Sequence, residues 1–435
     1  MALGGGNFIT QNKVLPGAYM NFVSAARASA ELSDRGVVSI PLEADWMPLG
    51  EVVPVTAAEF AKDSLKLFGY DYTAPQLTGL RELFRNARLA YLYRLGSGGA
   101  KAANDYAEAK YPGKRGDDLT VVVAANVEDP ALKDVTLLLG GAVVDRQTVA
   151  DAKGLADDAF VTWKDDGDLD PTAGAPLTGG TAPTVLNGSY QDYLDAIESY
   201  TFNALGCPSG NAQVKGLFAA FTKRMRDDMG VKFQCVAYDQ AADHEGVYDV
   251  MNKVEGDGPE YGLVYWVTGV AAGTAVNKSA LNKVYDGEYK VDVAHTQAQL
   301  EAAIKAGRFA LHRVGGTDVR VLADINSLTT VTPEKGGDFK ENQTIRVIDQ
   351  IANDIAVLFN GKYIGAVPND ADGRISLWAD IVKHHEALQQ IRAIEGFSGD
   401  DVKVEAGATK RSVVVTDLIT VVNAMAQLYM TVTVA

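Results

Sequence analysis

The final residues of the chain alternate between apolar side chains and Tyr or Thr with a period of two. The seven residues that alternate are Leu428, Tyr429, Met430, Thr431, Val432, Thr433 and Val434. This period predicts a β-strand, because successive side chains of a strand point to opposite faces. An unpaired strand exposes a row of N–H and C=O groups and invites aggregation, so we expect this strand to pair with a sheet. Its predicted partner is another subunit.

A second short strand is predicted near the N-terminus, after the turn signal Pro16-Gly17. Its candidate residues are Ala18, Tyr19, Met20, Asn21, Phe22 and Val23. The residues before it are small or polar and are expected to form an extension. If both arms pair outside their own subunit, strand addition would link the subunits into a polymer.

Composition indicates a multidomain protein and excludes several partners. With 435 residues, 47% of them hydrophobic, the chain can bury a sizeable core, and about two to four domains are expected. The net charge of -16 disfavours nucleic acid, which requires clustered Lys and Arg. Cys207 and Cys235 lack the spacing of a zinc or redox site and are interpreted as reduced core residues. The sequence has neither a secretory signal nor a membrane span, so synthesis in the cytoplasm is expected.

Changes in composition and hydrophobic pattern along the chain predict an α+β multidomain fold. A capping box at Thr56–Glu59 predicts a helix start, and alternating helices and strands after residue 188 predict an α/β layer. Within that layer, Tyr261–Val267 is predicted to be a strand. The predicted segments are an N-terminal extension and linking arm (1–30), an N-terminal α/β segment (31–96), an inserted β-rich domain (97–165), a linker (166–188), an α/β domain (189–334), a mixed α/β C-terminal core domain (335–426) and a C-terminal strand arm (427–435).

A search for catalytic and cofactor motifs finds none. The sequence contains no GxxxxGK[ST], GxSxG, HExxH or GxGxxG motif. His384 and His385 are adjacent, so on a helix they point about 100° apart and are assigned a structural role. No catalytic residue, cofactor or metal site is therefore predicted, and the chain is not expected to be an enzyme.

Two acidic segments of the sequence are candidate cation sites. Asn369–Gly373 resembles part of a calcium loop but places Pro368 and Ala379 where carboxylates are required, so it is interpreted as a helix-entry turn. The second segment lies in the predicted linker, where solvated charge is common, and contains Asp165, Asp166, Asp168 and Asp170.

The last hundred residues closely resemble the C-terminal domain of contractile phage tail sheath proteins of the Gram-positive phage and phage-like bacteriocin type. The segments that carry this resemblance are Phe339–Asn342, Thr344–Asp349, Ile351–Ile355, Tyr363–Gly365, Asn369–Arg374, Asn423–Met425 and Leu428–Val432. Upstream, the segments similar to the preceding sheath domain are Tyr265–Gly269, Val276–Ser279, Tyr285–Gly287 and Asp324–Thr329. Residues 97–165 are similar to the inserted domain, with weaker motifs.

The resemblance implies a structural protein of a phage or phage-like tail, assembled in the bacterial cytoplasm. Its subunits would form stacked hexameric rings around a tail tube, with the arms completing a sheet in a neighbouring subunit. Contraction from a metastable extended state would drive the tube through a target cell envelope, without nucleotide or membrane insertion. The implied partners are further copies of the chain, the tail tube protein, and the baseplate and tail terminator proteins.

Two alternatives remain open from the sequence. A non-contractile tube or surface layer would use the same strand exchange but adopt a single lattice. An α/β enzyme with an unfamiliar site would be a discrete oligomer with a cluster of titratable groups.

Overall fold

The computed structural model describes residues 32–434, which divide into two compact units. The larger unit comprises residues 34–349 and 421–434, and the smaller unit comprises residues 350–420 with residues 32 and 33. The helices are α1 (Ala57–Phe68), α2 (Thr78–Phe84), α3 (Asn187–Ile197), α4 (Ala212–Lys223), α5 (Leu263–Gly273), α6 (Gln297–Lys305), α7 (Asn342–Leu358) and α8 (Ala371–Gln390). The strands are β1 (Val37–Leu42), β2 (Val52–Thr56), β3 (Leu89–Arg94), β4 (Ala107–Ala109), β5 (Leu119–Ala125), β6 (Lys133–Leu139), β7 (Ala142–Val149), β8 (Val161–Trp163), β9 (Thr172–Pro176), β10 (Ala204–Cys207), β11 (Gln234–Tyr238), β12 (Val247–Val250), β13 (Val254–Glu255), β14 (Lys290–Val291), β15 (Arg308–Phe309), β16 (Leu311–Val314), β17 (Asp318–Val321), β18 (Ile394–Glu395), β19 (Val402–Ala406), β20 (Val413–Asp417) and β21 (Thr420–Val421).

The predicted capping box starts α1. The Glu59 amide donates to Thr56 Oγ1 at 3.2 Å, and the Thr56 amide donates to Glu59 Oε2 at 2.9 Å. Gly69 ends the helix with φ 73°, a conformation that glycine adopts without steric cost. Both ends of α1 are therefore encoded locally.

A seven-stranded sheet forms the centre of the larger unit. Its strand order is β15-β12-β11-β10-β1-β3-β2, and every neighbouring pair is parallel except β2 with β3. One face is covered by α2 and α5 through residues such as Leu83 and Val267, and the other by α3 and α4 through Leu194 and Phe218. Helices on both faces make this a doubly wound α/β layer, and the predicted multidomain mixed α/β class is confirmed.

The prediction of a strand at Tyr261–Val267 is wrong, because Tyr261 and Gly262 form a turn and Leu263–Val267 begin α5. Val264, Trp266 and Val267 are almost fully buried. A continuous apolar run fits a buried strand and a buried helix equally well, so periodicity alone could not separate them.

Residues 97–184 form a β-rich body with its own core. Its four-stranded antiparallel sheet has the order β7-β6-β5-β9, and β4 pairs with β8. Leu119, Leu137 and Trp163 are among its core residues. Within the segment predicted to be a linker, β9 instead pairs with β5. Its side chains are mostly exposed, so this edge strand carries no hydrophobic pattern.

Arg94, the last residue of β3, joins this body to the central sheet. The side chain is fully buried, and its guanidinium donates to the carbonyls of Ala44, Met47 and Pro112 at 2.7 to 2.9 Å. Burial lowers the pKa of Arg94 to about 10, which leaves the group charged at neutral pH. A charge bound by three carbonyls fixes the loops on either side of the junction.

Two buried ion pairs fix the first half of α7 within the larger unit. Arg346 Nη2 lies 2.6 Å from Asp324 Oδ2, and Arg226 makes a bidentate pair with Asp349 at 2.7 and 2.8 Å. Burial opposes ionisation of Asp324, but the charge of Arg346 and its hydrogen bonds outweigh burial and lower the pKa of Asp324. Both residues of this pair are therefore charged in the folded chain.

The smaller unit contains α8 and the β19–β20 hairpin. Trp378 on α8 donates from Nε1 to the carbonyls of Gly399 and Val402, each at 3.1 Å. Among the described helices, none is long and apolar enough to cross a membrane.

Candidate assembly surfaces

The C-terminal arm, defined as Met425–Val434, is exposed along its length. These residues adopt neither helix nor strand. The exposed fraction of the large apolar side chains ranges from 70% for Val432 to 100% for Met425. Such a run of exposed apolar residues indicates an interaction surface. Within residues 32–434 the arm pairs with no strand, so the pairing predicted for Leu428–Val434 stays a prediction.

The arm leaves the larger unit from a fixed root, defined as Val422–Ala424. The Gln343 side chain donates from Nε2 to Val422 O at 3.0 Å and accepts from the Ala424 amide at Oε1 at 2.9 Å. Thr344 and Asn423 are joined through their side chains at 3.1 Å. Gln343 therefore bonds the root as a neighbouring strand would, which fixes the direction in which the arm departs.

Replacing Gln343 with alanine should release the root without unfolding the larger unit. The Ala424 amide would lose its acceptor, and a net hydrogen bond of about 0.5–1.5 kcal/mol corresponds to roughly twofold to twelvefold faster amide exchange. Hydrogen–deuterium exchange at Ala424 measures this change. Gln297→Ala on α6 is the matched control, because Gln297 bonds only to Glu301 on its own helix. Unchanged exchange at Ala424 in Gln343→Ala would mean that Gln343 does not hold the root.

The N-terminal candidates, Ala18 to Val23, lie outside the described residues. Their role as a linking arm therefore stays a prediction.

The β19–β20 hairpin presents an open edge on β20. The Gly407 amide donates to Ser412 O, and the Leu418 amide donates to Asp401 O. Hydrogen-bonded and non-hydrogen-bonded residue pairs alternate along an antiparallel ladder, so in the observed register Glu405 and Val414 also form a hydrogen-bonded pair. The backbone groups of Val413 and Val415 consequently point away from β19. Within residues 32–434, these outward groups bond to no other strand.

The other edge of the hairpin is less accessible. On β19 the outward carbonyl of Val402 already accepts from Trp378, and Val402 is buried. β20 is exposed instead, at Val414, Val415 and Leu418. The β20 edge is therefore the better template for an added strand.

His385 holds the end of β20 against α8. Its Nδ1 lies 2.9 Å from Ile381 O and its Nε2 lies 2.7 Å from Asp417 Oδ2. His385 therefore bridges a backbone carbonyl of α8 and the carboxylate of Asp417, the last residue of β20. His384 instead bonds Asp354 through Nε2 at 3.0 Å. The two histidine rings, whose centroids lie 5.3 Å apart, thus contact different carboxylates.

The two acidic segments that the sequence offers as candidate cation sites lie in turns and loops. Asp370 caps α8, accepting from the Gly373 amide at 2.8 Å, which confirms the predicted helix-entry turn. Asp165, Asp166 and Asp168 are exposed in the loop between β8 and β9.

The structure also brings together one titratable cluster that no sequence motif marks. Asp227, His244 and Glu245 place one ligand atom each within 4.8 Å of one another. However, His244 Nδ1 accepts from the Gly246 amide, so the proton of the neutral ring sits on Nε2, the atom that a cation would need. Lys335 Nζ also lies 2.8 Å from Glu245 Oε1. The cluster is therefore better suited to internal ion pairs than to a metal.

Comparison with known proteins identifies four domain families along the chain. Residues 35–95 match the tail sheath protein Gp18 domain III N-terminal region, and residues 97–184 match the phage tail sheath protein beta-sandwich domain. Residues 184–327 match the phage tail sheath protein central domain, and residues 334–435 match the phage tail sheath C-terminal domain.

Individual proteins agree with these matches. The phage-like element PBSX protein XkdK of Bacillus subtilis (strain 168) is 33% identical, with 92% of each chain covered. The crystal structure of a sheath tail protein from Desulfitobacterium hafniense superposes with a TM-score of 0.81 at 36% identity, covering 95% of this chain and 99% of that one. The anti-feeding prophage helical sheath in its contracted state shares the fold, with a TM-score of 0.57 at 15% identity, over 97% of this chain and 99% of that one. The chain therefore belongs to the phage tail sheath protein family.

Proposed function

We propose that this tail sheath subunit polymerises as stacked hexameric rings around a tail tube and contracts from a metastable extended state. Contraction would drive the tube through a target cell envelope. The observation that carries the proposal is the combination, in one sheath-family chain, of an exposed strand-like arm with an open strand edge on β20. The fold shared with a sheath in its contracted state supports the contractile form.

In this proposal the C-terminal arm is the donor and β20 is the acceptor of strand addition. The side chains of Leu428, Met430 and Val432 would fall on one face of the added strand. At a net ~0.5–1.5 kcal/mol per hydrogen bond, about five backbone bonds would contribute several kcal/mol per junction. Repeated along a helix, such junctions would keep subunits connected while whole domains move. The N-terminal candidates Ala18 to Val23 would supply a second linking strand.

The work of contraction would come from subunit packing, without nucleotide or cofactor. Two packings of the same subunits differ in free energy, and a kinetic barrier holds the extended one until it is triggered. The proposed partners are other copies of the chain, the tube protein, and the baseplate and tail terminator proteins. Likeness to a baseplate assembly of the anti-feeding prophage is compatible with the baseplate contact. The subunit would assemble in the bacterial cytoplasm, act in the tail of a phage or phage-like particle, and catalyse no reaction.

Electron microscopy of negatively stained protein tests strand exchange. The full chain should form long hollow tubes, and a chain ending at Gln427 should not, because it lacks the donor strand. Thermal unfolding should be nearly unchanged by the truncation, since the arm packs on nothing within the described chain. Tubes from the truncated chain would refute the arm's role. Compact particles from both chains would contradict self-assembly through the arms alone.

A further inference from the structure

A pocket of about 480 Å³ opens in the larger unit at the carboxyl end of the central sheet. β1 lies between β10 and β3, and the chain leaves β1 towards β3 but leaves β10 towards β11. Connections that diverge in this way leave a crevice at the carboxyl ends of the two strands, where open α/β sheets bind ligands. Glu43 and Asp45, which directly follow β1, line this crevice.

The pocket, hereafter the tyrosine pocket, is lined mainly by aromatic rings, carboxylates and apolar side chains. Its polar and aromatic lining includes Glu43, Asp45, Tyr70, Tyr261, Tyr265 and Tyr289. No Lys, Arg or His is among the described lining residues, so the lining carries net negative charge. Outside the lining, Arg94 attracts the Asp45 carboxylate and the Arg115 guanidinium lies 4.5 Å from the centre of the Tyr70 ring, which leaves Glu43 and the other tyrosine rings as the main groups that could attract a cation.

Hydrogen bonds from two tyrosine hydroxyls orient the carboxylates. Tyr190 Oη donates to Glu43 Oε1 at 3.1 Å, and Tyr70 Oη donates to Asp45 Oδ2 at 3.0 Å. Burial, with Tyr261, Tyr289, Tyr190 and Glu43 nearby, raises the pKa of Tyr265, so its hydroxyl stays protonated.

We propose that the tyrosine pocket binds an alkylammonium group, a cation carried on an apolar stem. Tyrosine faces attract cations, and the carboxylates add charge that would repel an anion. Phe68, Leu77 and Leu80 in the same pocket provide apolar surface for the stem. A free amine and a lysine side chain of a second copy have this chemistry in common.

Isothermal titration of the full chain with n-pentylammonium chloride tests the proposal, with 1-pentanol as the neutral isostere. We expect saturable binding, with 1-pentanol weaker by about tenfold or more because it lacks the charge. The pair of substitutions Glu43→Gln and Asp45→Asn should weaken binding by about tenfold or more, since both amides keep the shape but lose the charge. Glu301→Gln, an exposed position on α6 outside the pocket, is the matched control and should not alter binding.

Thermal unfolding of each variant shows whether the fold is kept. Tyr265→Phe serves as a second variant, because it keeps the aromatic ring and loses only one hydroxyl. Absence of binding by the intact chain, or binding by the Glu43→Gln and Asp45→Asn variants equal to that of the intact chain, would overturn the proposal. If the charge variants lose binding, the yield of tubes shows which amine occupies the pocket in the assembly. A lower yield than that of the native chain indicates a lysine side chain of a second copy. An unchanged yield indicates a free amine. Amine binding does not require tubes, so failure of this proposal is separable from failure of the proposed assembly.

Discussion

Replacing Arg346 with leucine should lower the free energy of unfolding of the larger unit by about 3–5 kcal/mol, as measured by urea denaturation. The substitution leaves Asp324 as an uncompensated charge in a site where neither residue is more than 3% exposed. Asp324 would keep its bonds from the Ala280 amide at 2.8 Å and from Asn342, which do not replace the lost charge. The loss in free energy of unfolding comes mainly from leaving the Asp324 charge buried without its partner.

The matched control is Arg224→Leu, which breaks a surface pair with Glu198. Arg224 is 43% exposed, and exposed pairs contribute at most about 1 kcal/mol. Adding Asp324→Asn to Arg346→Leu should recover part of the loss, because the unpaired charge is removed. A loss below about 1 kcal/mol for Arg346→Leu would contradict the account of this pair.

Acid provides an independent check on the same pair. The folded pKa of Asp324 is lowered, so its contribution is fully present above the unfolded pKa of about 3.9 and is lost as the pH falls through the folded value. The stability difference between the native chain and Arg346→Leu should therefore shrink as the pH is lowered below about 4.

Replacing Val415 with proline should abolish tube formation while leaving the hairpin folded. The Val415 amide points away from β19, so proline removes a donor only from the outward edge, and prolines are tolerated at such edge positions. Electron microscopy should find no tubes, and circular dichroism should match that of the native chain. This result would assign the acceptor of the donated strand to β20.

Val404→Pro is the matched control, because it blocks the opposite edge of the same hairpin and should leave tubes intact. A mixing experiment adds a second readout. Val415→Pro retains the arm, and the chain ending at Gln427 retains the β20 edge, so together they should form small complexes that cannot elongate. Tubes of normal length from Val415→Pro alone would exclude β20 as the acceptor.

Local signals in the sequence predicted the elements whose ends are set by nearby residues. The capping box of α1 depends on contacts within a few positions, and the helix start that it predicts is confirmed. β9 was missed because an edge strand with exposed side chains has no apolar pattern, and its partner β5 lies about fifty residues earlier. Tyr261–Val267 was misassigned because burial on all sides removes the periodicity that separates helix from strand.

The candidate surfaces were only partly predictable for the same reason. The alternation in Leu428–Val434 is local, and the strand that it predicts stays a prediction, because these residues are exposed and adopt neither helix nor strand. The clamp at Gln343, by contrast, is one amide side chain whose partners lie 79 and 81 positions away. The pairing of Arg226 with Asp349 spans 123 positions, and nothing near either residue marks it. Such contacts follow from tertiary structure, which a single sequence does not display.

The fixed root limits how far neighbouring subunits could separate. If Leu428–Val434 is held by another hairpin and Ala424 is held by Gln343, only Met425, Ala426 and Gln427 remain as a tether. Three fully extended residues span at most roughly 11 Å. Any rearrangement of a strand-linked polymer would then have to pivot around this tether rather than stretch it, so rotation would be permitted and wide separation would not.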